Sequence, residues 1–248
     1  MIETYKLYGG TVCLTFDPDK HIYEVDGERV EGVTGVVGVI AKPALMPWAV
    51  NMALAYIGKK IKAGKSYDEI QLKKILEDAK IAHKVKKEDA GDIGTLVHEA
   101  IESYILTGKE EPPIHEKAKV CYNNFVNWAK ENKVKFLETE RKIYSKEHQY
   151  AGTMDFACVI DGKTYVGDIK TSNAIYNEYW FQTSAYQQAY QEETGIEIDG
   201  QIIVRVSRNG DFEIQENYDY EENVQAFNGA LVLYRRIQQL KDIKNEGV

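Results

Sequence analysis

Two aspartates and a lysine stand at spacings suited to phosphodiester chemistry: Asp155 in AGTMDFACVI, Asp168 in TYVGDIKTS, and Lys170 two residues further on. Between the aspartates lies Asp161-Gly162, a pair able to take the positive-φ positions of a two-residue hairpin loop, with apolar and β-branched residues on both flanks. A loop of that length sets Asp155 directly opposite Asp168. Their Cβ atoms would then lie about 5 Å apart, where like charges destabilise a strand pair unless something neutralises them. A divalent cation would do so. Strand side chains repeat every two residues, so Lys170 shares the face of Asp168. Such a set suits phosphodiester hydrolysis, because Mg²⁺ binds through carboxylates and substrate phosphates while a lysine offsets developing charge or positions the attacking water. A three-residue loop including Lys163 would shift the register by one, and Asp-x-Lys also arises by chance on solvent-facing strands. The hairpin alone therefore leaves a structural reading open.

The surrounding elements must position this hairpin. TVCLTFDPDKHIYEVDGERVEGVTGVV reads as short strands with turns at Asp17-Pro18 and Asp26-Gly27. Residues 44 to 62 and 67 to 88 read as helices, the second rich in Lys and Glu. Gly58 to Gly64-Lys65-Ser66 resembles a phosphate-binding loop, but it has one residue too many between its glycines and follows a helix instead of a strand, so no ATP site is assigned. In GDIGTLVHEAIESYILTG the apolar residues recur at helical spacing, and Gly108 is placed to end the element. His98 lies close to that apolar stripe, where a lone histidine is by default a hydrogen-bonded core residue. A further helix is expected over 115 to 132, then a strand in FLETERKIYSKEHQY with Glu138 and Glu140 on one side. Residues 175 to 193 form an aromatic helix on which Gln182 and Tyr186, four apart, share a face. A second hairpin turning at Asn209-Gly210 and an amphipathic helix over 220 to 242 complete the chain. This order predicts an α/β (α+β) fold, with one mixed and mainly antiparallel central sheet flanked by helices.

Bulk properties narrow the class. At 248 residues, 44% hydrophobic and 28% charged with five prolines, the chain suits one elaborated soluble domain. It divides into N-terminal strands and helices (1–90), a motif-bearing core (91–195), and a closing hairpin and helix (196–248). No long uncharged apolar run suggests a membrane span, and MIETYKLYGG lacks the features of a signal peptide, so a cytoplasmic location is expected. Cys13, Cys121 and Cys158 are far apart and contain no CxxC, which fits reduced and mostly buried thiols. The net charge of −8 disfavours a protein that coats nucleic acid but leaves room for an enzyme with a local basic face. Lysines 59, 60, 62 and 65, and again 80, 84, 86 and 87, are candidates for such a face, although runs of this kind are usually only solvated.

Taken in order, GTLVH, AGTMD, DIK and Q-x-x-x-Y resemble the RecB-like exonuclease branch of the PD-(D/E)XK nuclease superfamily, over roughly residues 90 to 190. HIYEVDGERVEGVTGVV followed by KPALMPWA is similar, more softly, to the lead-in of phage-type members. The resemblance implies a restriction-endonuclease-like core with an N-terminal helical extension. It also implies His98, Asp155, Asp168 and the Ile169 carbonyl as metal ligands, with Asp155, Asp168 and Lys170 catalytic. Gln182 and Tyr186 would contact DNA or support Lys170; Glu140 is a possible support from the adjacent strand, and Glu99 a weaker one. Mg²⁺ or Mn²⁺, one or two ions, is the implied cofactor, and a histidine ligand favours good support by Mn²⁺. Asp168 replaces the usual Glu of E-x-K, a shorter side chain that could alter metal preference. The four-cysteine cluster of the CRISPR-associated members is missing, so no iron–sulfur cluster is expected.

The activity implied is metal-dependent hydrolysis from DNA ends in phage or bacterial recombination or repair. DNA is the expected partner, together with a recombination or annealing protein, and the oligomeric state is left open. The alternatives are a structure-selective endonuclease and a non-catalytic DNA-end-binding protein whose hairpin is purely structural.

Overall fold

The computed structural model describes residues 1–246 of the chain, apart from the side chains of residues 89, 245 and 246. Its elements are β1 (Glu3–Leu7), β2 (Val12–Asp17), β3 (Ile22–Val25), β4 (Glu28–Gly32), α1 (Val33–Val37), α2 (Leu45–Lys60), α3 (Glu69–Thr107), α4 (Glu116–Glu131), β5 (Lys135–Ser145), β6 (Tyr150–Ile160), β7 (Lys163–Lys170), α5 (Asn177–Thr194), β8 (Gly200–Val206), β9 (Phe212–Asn217) and α6 (Tyr220–Glu246). They form two compact units, one of residues Met1–Ile40 with Val97–Val248 and the other of Ala41–Leu96.

The larger unit is a mixed α/β structure, a central mixed sheet flanked by helices, consistent with a restriction-endonuclease-like fold. Its strands run in the order β1-β2-β3-β4-β6-β7-β8-β9, with β5 pairing β6. The β4–β6 and β7–β8 pairs are parallel and the others antiparallel. One core cluster joins Ile143, Tyr150, Met154, Ala157 and Val166 of the sheet to α1, to Ala185, Tyr186, Ala189 and Tyr190 of α5, and to Phe227 and Leu231 of α6. Phe156 and Ala157 are adjacent on β6 and so point to opposite faces. Phe156 meets Phe125 and Trp128 of α4 there.

The smaller unit is helical. An Asp68–Gln71 capping box starts α3: Gln71 N donates to Asp68 Oδ1 (2.7 Å) and Asp68 N donates to Gln71 Oε1 (3.1 Å). Tyr56 of α2 donates its hydroxyl to Asp78 Oδ2 of α3 (3.0 Å), and Trp48 meets His83 edge-on. The two helical stretches expected over 67–88 and 91–108 are one uninterrupted helix, because Gly91 and Gly94 fall inside α3 without breaking its hydrogen bonds. Gly108, at φ 69°, ends it in the left-handed conformation that glycine adopts without strain.

The β6–β7 hairpin turns on Asp161-Gly162, with φ of 48° and 81°, and Ile160 pairs Lys163. Lys163 thus belongs to the strand, not the loop. The ladder keeps the register of a two-residue loop as far as Phe156↔Gly167, the pair next to the two aspartates on the turn side. There the Phe156 ring lies over Gly167, where an added Cβ would come within 2.0 Å of it. Gly167→Ala should therefore overpack the core and cost about 1–3 kcal/mol or more. Gly229→Ala, in the interior of α6 with nothing within 4 Å of its Cβ position, should stabilise by about 0.5–1 kcal/mol. Urea unfolding of both variants checks the contrast, and equal midpoints would refute the packing role given to Gly167.

Candidate metal centre

The site forms where β6 changes partners. With β5 along one edge, β6 pairs β4 at Tyr150 and Ala151 on the other and then β7 from Phe156 onward. Residues 152–155 lie in the fork between them. Asp155 sits at the mouth of the fork, and its Oδ2 accepts a hydrogen bond from Ile169 N of β7 (2.7 Å). On its other side, Thr139 Oγ1 donates to the Asp155 carbonyl (3.0 Å).

Glu140 of β5 flanks the same aspartate. Its φ of 46° is a left-handed backbone value, uncommon for a residue with a Cβ. This breaks the two-residue alternation of β5: Glu138 pairs with Arg141 (2.6 Å), while Glu140 joins Asp155 and His98. His98 approaches from α3 with Nδ1 3.6 Å from Asp155 Oδ2, an ion pair only when the imidazole is protonated. His98, Glu140 and Asp155 each offer one ligand atom, and the three atoms lie within 4.8 Å of one another. One imidazole nitrogen and two carboxylates form a donor set suited to a divalent cation.

Asp168 lies beside this trio, engaged by Lys170. It is buried, and its Oδ2 is 2.5 Å from Lys170 Nζ, a close buried ion pair. Lys170 Nζ also donates to Gln182 Oε1 (3.2 Å), Gln182 Nε2 donates to the Tyr186 hydroxyl (2.6 Å), and the ammonium lies 4.7 Å from the Tyr179 ring centre. Gly152 makes room for Tyr186, since a Cβ there would come within 2.8 Å of its ring. The Tyr150 hydroxyl fastens α5 to β6 by donating to the Ala185 carbonyl (2.8 Å).

Charge at the fork is unbalanced. Burial, then the Asp155 carboxylate, push Glu140 up to about 8. Glu102 and Asp168 act in the same direction, and Lys142 opposes them. Burial also raises Asp168 to about 6 against the pull of Lys170, with Asp155 adding to the rise. Burial lowers Lys170, but the two aspartates outweigh it, and the ammonium is held above its ordinary value. Four carboxylates thus face two ammonium groups, those of Lys142 and Lys170. A divalent cation would remove that deficit, and the residues present fit one.

The structure therefore brings together His98, Asp155, Asp168, Ile169, Lys170, Gln182, Tyr186 and Glu140. Glu99 is exposed and outside the three-ligand group. Glu140, expected only as a possible support, completes that group in place of Asp168, which was expected as a ligand. Lys142, Glu102 and Tyr179 belong to the same electrostatic neighbourhood and were not singled out from sequence. Glu102 is one helical turn beyond His98, and Lys142 two strand residues beyond Glu140, so both were recoverable once those two were placed.

No protein-family model matches the chain, and no curated protein does. Among solved structures it is similar to the crystal structure of SSO0001 (TM-score 0.34, 15% identity, covering 77% of this chain and 86% of that one). It is also similar to an alkaline exonuclease (LHK-Exo) from Laribacter hongkongensis (TM-score 0.32, 14% identity, 61% of this chain and 84% of that one).

The raised carboxyls make the metal-free protein pH-sensitive. Folded Glu140 keeps its proton up to about pH 8, whereas the ordinary value is 4.5. Between those values the folded state binds more protons than the unfolded chain, so stability falls as the pH rises through the window; below it the penalty is absent. In EDTA the melting temperature should fall from pH 5 to 8.5, Glu140→Gln should flatten the upper part of that fall, and Mn²⁺ should restore more stability at pH 8.5 than at pH 5. A flat profile, or equal restoration at both pH values, would contradict the frustrated-carboxylate reading.

Proposed function

We propose that this protein is a metal-dependent deoxyribonuclease that hydrolyses phosphodiester bonds from DNA ends. The observation that supports this best is the His98, Glu140 and Asp155 donor set beside a buried Asp168–Lys170 pair at a strand fork. A Mg²⁺ or Mn²⁺ ion held by His98, Asp155 and Glu140, with Asp168 and the Ile169 carbonyl adjoining, would neutralise phosphate charge and supply a more acidic water.

The chain's own residues do the rest. Asp168 and Gln182 hold Lys170 Nζ from two sides, which fixes its direction and leaves an N–H for the scissile phosphate or the attacking water. The ammonium stays charged, so it stabilises negative charge as the new P–O bond forms and the bond to the 3′ oxygen breaks. The attacking water gives up one proton to solvent as the leaving 3′ oxygen takes one up, giving a 3′ hydroxyl and a 5′ phosphate. Tyr186, raised well above its ordinary value by burial and by Asp168, remains a neutral hydroxyl that braces Gln182. End-directed cleavage in recombination or repair rests on the resemblance described above.

End-labelled linear and closed circular DNA, incubated with Mg²⁺, Mn²⁺ or EDTA, provide the test. The linear DNA should be degraded with metal only, and Lys170→Ala or Asp168→Ala should lower the rate about 10²-fold or more while the fold persists. Cutting of circles would establish an endonuclease instead. Binding without cleavage under every metal would leave a DNA-binding protein with a structural hairpin.

A further inference from the structure

The smaller unit has a charge opposite to the rest of the molecule. Residues 41–96 contain eleven lysines against seven acidic residues, a net +4 in a chain of net −8, which leaves −12 for the remainder. A polypeptide that must approach a polyanion while carrying overall negative charge needs a local basic face, and here the lysines are gathered into one helical segment.

Their placement is ordered. Lys73, Lys80, Lys84 and Lys87 follow each other on α3 at spacings of seven, four and three residues, which puts them on one stripe of the helix. All four are exposed, and none pairs with a carboxylate among the described residues. Glu77 falls within the stripe and leaves it positive. At about 1.5 Å per residue the stripe extends roughly 21 Å, long enough to follow several phosphates of one strand. At the α2–α3 turn, Lys60, Lys65 and Lys74 line a solvent-open cavity of 430 Å³ with Tyr56, Tyr67 and Ser66. Asp78, also in its wall, is engaged by the Tyr56 hydroxyl. Tyr67 is fixed at the rim: Lys62 N donates to its hydroxyl (2.9 Å), which donates to the Lys60 carbonyl (3.0 Å). Ammonium groups gathered in this way suit a sugar–phosphate backbone, whose charge lysines neutralise.

We propose that residues 41–96 hold the DNA backbone without reading its sequence, through the α3 lysine stripe and the lysine-lined cavity at the α2–α3 turn. This rests on the nuclease reading only in taking DNA as the ligand, and binding can be measured with cleavage switched off.

The test is fluorescence anisotropy of labelled duplex and single-stranded DNA with the full chain in EDTA, across a salt series. Replacing Lys73, Lys80, Lys84 and Lys87 by glutamine keeps helix propensity and removes four charges. A control replaces Lys109, Lys117, Lys119 and Lys241. Loss of four phosphate contacts should flatten the log–log salt slope by about 3 and weaken binding at least ~10-fold, with the control nearly unchanged. The pair Lys80→Gln/Lys84→Gln should lose about half as much slope, and it stands in if circular dichroism shows the fourfold variant misfolded. An unchanged slope, an equal loss in the control, or binding to anionic lipid vesicles without binding to DNA would overturn the proposal. Cleavage by the wild type with an unchanged variant slope sinks this inference and spares the nuclease. Lysine-dependent binding without cleavage under any metal does the reverse.

Discussion

The structure turns on an excess of buried negative charge at a point where two strands separate. Glu140, Asp155 and Asp168 converge there, Glu102 stands near, and only part of their charge is met by Lys142 and Lys170. Carboxylates withdrawn from water must be protonated, paired or bound to a cation. Lys170 offsets part of the cost for Asp168, and Ile169 N part of it for Asp155. Glu140 is left with burial and a like charge, and its carboxyl is pushed higher than that of Asp168. Such an arrangement costs stability in the isolated protein and is rational only if something positive arrives.

The sheet builds that frustration deliberately. β6 must leave β4 after Ala151 and join β7 at Phe156, and a strand between two partners exposes the edge on which Asp155 stands. Large aromatic rings fix both sides of the gap. Phe156 lies over Gly167 immediately before Asp168, and Tyr186 lies over Gly152 three residues before Asp155. The glycines of the two motifs thus serve packing, while the acids beside them serve charge. Burial of Tyr150 and Tyr186 against α5 and the sheet then presents Gln182 to Lys170, so the same core that stabilises the sheet orients the ammonium.

Much of this was legible from local chemistry. Asp161-Gly162 can be read as a tight turn because few other pairs adopt positive φ so readily, and it sets the register that brings the aspartates together. At Asn209-Gly210 only the glycine takes positive φ, and Val206 pairs Phe212 across a five-residue loop, longer than the tight turn expected there. Pattern reading also located the helices that carry His98, Gln182 and Tyr186. What it could not supply were features that depend on tertiary contacts. Nothing in FLETERKIYS marks Glu140 for a left-handed backbone, so alternation placed it beside Glu138 when the two diverge. The parting of β6 and β7 just beyond Phe156 depends on β4 occupying the vacated edge, from more than a hundred residues away. The continuity of α3 through Gly91 and Gly94 likewise overrides the propensity of glycine to interrupt a helix.

The most direct measurement is anomalous diffraction at the manganese edge from crystals grown with Mn²⁺ near pH 8, where Glu140 is losing its proton. The account predicts a peak coordinated by His98, Glu140 and Asp155, with Lys170 still paired to Asp168. Ordered side chains with no manganese among them, or a peak elsewhere with Glu140 still protonated and hydrogen-bonded to Asp155, would contradict it.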